Sequence, residues 1–218
     1  MSDNKNKKNK YEKGYFGYIN HYKKKQGIIG FLSLIMVFVI YFTGIIIYHS
    51  NKTIFTVMAA VSVLPAAKYL IMFFIVIPYK TSNKEIFEKL IPNCKNKGWL
   101  SVDPDNLSSN SKPESKATMI SDLIFTYEDH ITNVEYIIIN RGHVFAYSGN
   151  KKTDKEFARE YIKKILDNSC NYKSYKFYDN KELFLKDVIN DISINTDNSE
   201  KVLINDMIIA RKILPFVI

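Results

Sequence analysis

Asp103 and Asp105 flank Pro104 in a polar loop, a D-x-D spacing that can hold a divalent cation against a sugar nucleotide. Two acids around a proline in a polar loop far more often make a turn, because Asp-Pro favours turn initiation. Asp122, in "SDLIFT", is an acid within a β-branched and aromatic segment. It can serve as a metal-binding carboxylate or as an ordinary strand-edge or turn acid. The four histidines, His21, His49, His130 and His143, are scattered and make no H-E-x-x-H pair that would grip zinc. Cys94 and Cys170 stand apart without a C-x-x-C and read as ordinary thiols of a reducing compartment. No G-x-x-x-x-G-K-[ST] or G-x-G-x-x-G loop is present to cradle phosphates, and no G-x-S-x-G elbow presents a serine. The sequence therefore assigns no cofactor, no metal and no catalytic residue.

Lys68 raises a different kind of chemistry. It interrupts the otherwise uncharged run from Thr53 to Pro78. At the centre of a membrane span a lysine costs about 2.5–3.5 kcal/mol on insertion scales. Pro65, three residues earlier, frees a backbone carbonyl and can kink the helix. From Lys68 to Pro78 is about 15 Å along a helix, and a lysine side chain reaches roughly 6 Å. Neither apolar run contains Asp or Glu, so one copy offers no internal ion-pair partner. Three readings follow: a lysine snorkelling to the headgroups, a polar cavity or conducting path in an oligomer, or a second segment that is re-entrant rather than spanning.

Two elements must position these residues. "GIIGFLSLIMVFVIYFTGIIIY", Gly27 to Tyr48, carries no charge, and Thr53 to Pro78 carries only Lys68. As helices they extend roughly 33 and 39 Å, against a hydrocarbon core of about 30 Å, and neither has a polar stripe. The first is too long in its apolar part, and lacks the cleavage site, for a signal peptide. "HSNK", His49 to Lys52, only reverses direction, so the expectation is a tight transmembrane helical hairpin, 27–48 and 53–78. Ser62 and Ala66, with Ala59 a turn earlier, give the second helix a small face for its neighbour.

Lysine placement orients the hairpin. Residues 1–26 hold eight lysines against two acids, and residues 79–97 hold five against two, while the connecting turn offers only Lys52. Both termini are thus expected in the cytoplasm, with the hairpin in the bacterial inner membrane. These flanks, with Lys52 and Lys68, exceed the whole net charge of +9, so the rest of the chain is close to neutral. The basicity is matched to anionic lipid headgroups, and the main electrostatic argument for nucleic-acid binding is lost. A homo-oligomer and an unidentified protein partner remain open. The richness in Lys, Asn and Ile looks like that of proteins from an AT-rich bacterial genome.

The domains read as a lysine-rich tail (1–26), the hairpin (27–78), a juxtamembrane helix and loop (79–117), and a cytosolic α/β domain (118–218). Ser82 can cap a short helix that Pro92 ends. "TMISDLIFTYE", "VEYIIIN" and "RGHVFAYSG" read as strands, with a hairpin turn at Asn140-Arg141-Gly142. Thr153 and Glu156 fit a capping box opening a helix through Asn168. "YKSYKFYD" alternates as a half-buried strand, Asn180 caps the next helix, and a last helix runs from Ser199 to Leu214. The order is β-β-β-α-β-α-α.

"TVMAAVSVLPAAKYLIMFFIV", with its Leu64-Pro65-Ala66-Ala67-Lys68 core, resembles small two-span membrane proteins of clostridial and other Gram-positive bacteria, and the similarity extends into "ISDLIFTYED". These proteins are uncharacterised, and some carry the label "O-linked GlcNAc transferase-like". The resemblance implies the two-span topology and no established activity. "SDLIFT" followed by a hairpin and a helix also looks like membrane-linked restriction-endonuclease-like domains, in which an acid and a Glu-x-Lys strand bind metal. Asp122 matches the acid; the strand "HVFAYSG" has neither Glu nor Lys, and Glu135 is followed two places on by Ile137. The expected function is a membrane-tethered interaction or sensory module. The alternatives are a degenerate nuclease-like or transferase-like domain, and an oligomeric pore using Lys68.

Overall fold

The structure is a computed structural model that describes residues 13–50, 53–92, 94–95, 117–127, 130–194 and 200–218. It divides into two compact units, Ile19–Lys80 and a second formed by Met1–Tyr18 together with Thr81–Ile218.

The first unit is a pair of apolar helices, α1 (Tyr18–Tyr48) and α2 (Ile54–Val76), each long and apolar enough to cross a membrane. They run antiparallel, and glycines of α1 set how closely. Gly27 lies against Phe73, Gly30 against Leu70 and Gly44 against Phe55. A Cβ at Gly44 would stand 2.5 Å from that of Phe55, so only glycine fits there. On α2 the small residues Ala59 and Ala66 are buried. Lys23 closes the open end of the pair, donating its ammonium to the carbonyls of Ile77 (2.9 Å) and Tyr79. These carbonyls follow the C-terminus of α2, where a cation is favoured.

In the second unit a five-stranded sheet is covered by helices on both faces. Its strands, in spatial as in chain order, are β1 (Cys94–Lys95), β2 (Ala117–Tyr127), β3 (His130–Asn140), β4 (His143–Tyr147) and β5 (Ser174–Tyr178). The outer pairs are parallel and the inner two antiparallel. Helices α4 (Lys155–Ser169) and α6 (Glu200–Ile213) bury Ala158, Ile162, Leu166, Ile209 and Ile213 on one face. Helices α3 (Lys84–Leu90) and α5 (Lys181–Ile194) bury Ile86, Leu90, Phe184 and Val188 on the other. A 3-10 turn, Leu214–Phe216, follows the last helix and contains Pro215.

Two caps differ from the sequence reading. Helix α3 is capped by Asn83, whose Oδ1 accepts from the Glu85 amide (2.9 Å), and not by Ser82. Helix α4 is capped by Asp154, whose Oδ1 accepts from the Phe157 amide (3.0 Å). The Thr153 hydroxyl, expected in that role, instead donates to the Asn133 carbonyl (3.2 Å). In both cases the hydroxyl is drawn off to the sheet and a neighbouring side chain takes the cap. Asn180 caps α5 as its position suggests, accepting from the Glu182 and Leu183 amides.

Candidate functional site

Asp122 lies in a matched break of the β2–β3 ladder. Ser121 pairs with Tyr136 and Leu123 with Val134, but the intervening Asp122 and Glu135 do not pair. Asp122 adopts φ 57°, the left-handed region that Asp tolerates better than most residues. The break resets the alternation of side chains. Along β2, Ile120 and Leu123 both enter the core under α4 and α6, although three residues apart they should face opposite ways. Along β3, Val134 and Ile137 do the same. Both strands therefore shift phase together, and the register is kept.

The break frees an amide and a carbonyl, and Ser82 fills the gap. Its Oγ accepts from the Asp122 amide (3.2 Å) and donates to the Glu135 carbonyl (2.7 Å). The same hydroxyl is 2.6 Å from Asp122 Oδ1, so one proton is shared between two acceptors. Asp122 Oδ1 also accepts from the Ser82 amide (2.7 Å), and Oδ2 accepts from the Gly17 amide (2.8 Å). Both Ser121 and Asp122 are fully buried. One carboxylate thus holds a residue 105 positions before it and another 40 positions before it.

The segment 13–18 is laid along β2. The Gly14 carbonyl accepts from the Ser121 amide (2.9 Å), and Gly14 itself has φ 86°. A side chain at Gly14 would be strained there and would meet Leu214 at 3.0 Å. Phe16 stacks on Phe87 of α3, with ring centroids 4.4 Å apart, and Lys13 donates to the Val217 carbonyl (2.6 Å).

Glu135 continues the cluster. Its carboxylate accepts from the amides of Asn83 (3.2 Å) and Gly149 (3.0 Å). Burial raises its pKa above the ordinary value, the two amides oppose that, and the nearby Asp122 charge adds to it. The Tyr136 hydroxyl donates to the Asn83 carbonyl (2.7 Å), and burial with the two acids keeps its proton on. Tyr147 is pushed up to about 12, first by burial and then by Glu135.

A second buried acid works on the hairpin turn. Asp206 of α6 accepts from the amides of Arg141 (2.6 Å) and Gly142 (2.7 Å). Both turn residues have positive φ, 51° and 82°, as a two-residue hairpin of this twist requires. Burial raises the Asp206 pKa against the pull of those amides and of Arg141.

The other residues singled out from sequence are dispersed. Asp103 and Asp105 lie outside the described residues. His130 stacks on Phe157, and His143 Nδ1 forms a hydrogen bond with Ser174 Oγ (2.7 Å). Cys94 is buried, Cys170 is half-buried, and neither is in a disulfide. Burial raises the Cys170 thiol above its ordinary pKa. Among the described residues no three His, Cys, Asp or Glu side chains converge as metal ligands. Pro65 sits inside α2, and Lys68 is exposed on that helix without an ion pair among the described residues. Sequence reasoning singled out Asp122 but missed Ser82, Glu135 and Gly17 as its companions. The one local signal for them was the pair of glycines at 14 and 17 in an otherwise aromatic stretch.

Comparisons with protein-family models, with curated proteins and with solved structures give no match for this chain.

Proposed function

We propose that the chain is a membrane-anchored interaction module, with α1 and α2 crossing the bilayer as a hairpin and the α/β domain held in the cytosol. The observation that carries this reading is the use made of Asp122. Its oxygens bind Gly17, just before the first apolar helix, and Ser82, just after the second. Both flanking segments thereby belong to one folded domain, as a chain that leaves and re-enters a single compartment requires. The lysines of 1–26 and 79–97 then face anionic headgroups on that side, each worth about 1 kcal/mol near the surface.

The same geometry favours a structural over a catalytic role for the acids. A carboxylate that accepts two backbone amides and a hydroxyl has few lone pairs left to offer a metal or substrate. Lys68, with about 9 Å along the helix to the headgroups if the hydrocarbon ends near Phe74, is read as snorkelling.

Single cysteines test the topology, in a chain whose Cys94 and Cys170 are replaced by alanine. An impermeant maleimide added to intact cells should label Ser50→Cys in the connecting turn and leave Lys152→Cys in the domain unlabelled until the cells are opened. Labelling of Lys152→Cys from outside would overturn the reading.

A further inference from the structure

The two edges of the sheet are treated differently. The outer edge of β2 is covered along its length: β1 pairs with Ala117 and Thr118, Gly14 takes the Ser121 amide, and Val217 and Ile218 bond at Phe125 and Ile124. At the opposite edge β5 pairs only with β4 among the described residues. The Ser174 amide bonds to the Gly142 carbonyl and the Tyr178 carbonyl receives the Ser148 amide. In a parallel ladder alternate residues turn to the same neighbour, so Tyr175 and Phe177 direct their amides and carbonyls outwards.

A groove follows this edge and is cationic. Arg159 and Lys163, one turn apart on α4, flank one side, with Lys176 on the strand and Lys173 just before it. All four are exposed. Asp187 is the one acid lining it among the described residues, and it is already engaged by Lys176 (3.5 Å) and by the Tyr178 hydroxyl (2.7 Å). The Tyr175 hydroxyl is buried in the same wall and makes no hydrogen bond among the described residues.

We propose that the β5 edge is a docking site for an acidic partner segment that adds as a sixth strand, its main chain bonding to Tyr175 and Phe177 and its carboxylates facing Arg159, Lys163 and Lys173. This rests on the interaction-module reading and gives the partner its chemistry. Edge lysines deter pairing between like strands, so a second copy of β5 would be repelled by the charges that attract an acidic strand. Nucleic acid or an anionic bilayer would satisfy the charge but not the strand-spaced row of backbone donors and acceptors.

The test uses the full chain in nanodiscs of zwitterionic lipid and a fluorescent peptide, roughly ten residues long, alternating Glu and Val. Saturable binding is expected. It should weaken at least about tenfold when alternate peptide nitrogens are methylated, and by a similar factor in Arg159→Glu/Lys163→Glu. These exposed substitutions should leave the melting temperature unchanged. The methylated peptide, read on the unaltered chain, does not depend on how the variant folds. Equal binding of methylated and unmethylated peptides would overturn the strand. So would a single-stranded oligonucleotide of equal charge, or an anionic vesicle, binding more tightly than the peptide. No saturable binding would overturn the site, and so would concentration-dependent self-association that the peptide fails to reverse. Maleimide labelling reports topology whether or not peptide binds, so the two failures are separable.

Discussion

Ser82 Oγ occupies the opening that Asp122 makes in the β2–β3 ladder, accepting from the Asp122 amide at 3.2 Å and donating to the Glu135 carbonyl at 2.7 Å. A side-chain hydroxyl replaces a missing rung of the sheet, and the segment that carries it leads directly from α2. The strength of this arrangement lies in what its loss exposes.

Ser82→Ala leaves the Asp122 amide and the Glu135 carbonyl buried without that partner. Each orphaned group costs about 1–3 kcal/mol, so denaturant unfolding of the full chain in micelles should show a loss of about that size or more. An unchanged midpoint would mean the gap closes without the hydroxyl.

Asp122→Asn separates structure from chemistry. Asn tolerates the left-handed backbone, so the substitution chiefly exchanges one accepting oxygen for an amide donor that faces backbone donors. A loss of about 1–3 kcal/mol is expected. A catalytic acid with no structural role would leave unfolding unaltered.

The raised pKa of Glu135 has a defined sign in pH dependence. Between its ordinary value of 4.5 and its higher folded value, the folded state binds more protons than the unfolded. Stability from this group is therefore present below that ordinary value and is lost as pH rises through the folded pKa. Asp206 acts in the same direction, starting from 3.8. Unfolding midpoints taken upwards from pH 4 should fall less steeply in Glu135→Gln than in the parent chain.

Gly44→Ala places a methyl 2.5 Å from the Phe55 Cβ, which no rotamer change can relieve. The helices must part at that level, at a cost of about 1–3 kcal/mol, measurable as a lower SDS fraction needed to unfold the hairpin. Gly17, which has nothing among the described residues within 4 Å of its missing Cβ, marks the contrast: substitution there acts through its φ of 91° instead.

Lys68→Leu should improve insertion of α2 by up to about 2.5–3.5 kcal/mol, less whatever snorkelling recovers. Glycosylation mapping of the second segment in a translation–insertion system reads this directly. Poorer insertion would indicate that the lysine serves a polar partner.

Local physics was enough to read most of the elements. Two apolar runs, β-branched stretches bounded by turn residues, and Asn140-Arg141-Gly142 yield α2, β2, β3 and β4 within a few residues of their observed ends, whereas α1 starts at Tyr18, nine residues before the expected Gly27, because the helix continues through polar residues that an apolar run does not mark. The two-residue strand β1 was missed, since Cys94-Lys95 is too short to carry a period. The caps at Ser82 and Thr153 were misassigned for one shared reason. A hydroxyl before a helix is a cap only if nothing else competes for it, and here carbonyls of β3 do.

What the sequence determined by itself was periodicity, polarity and charge placement, because each depends on residues a few positions apart. What only the tertiary structure decided was the use of the buried acids. Asp122 meets Ser82 and Gly17 across 40 and 105 positions, and Asp206 meets the turn of Arg141 and Gly142 across 65 and 64. Those bonds depend on where the sheet brings distant backbone amides, and no window of the chain encodes that distance.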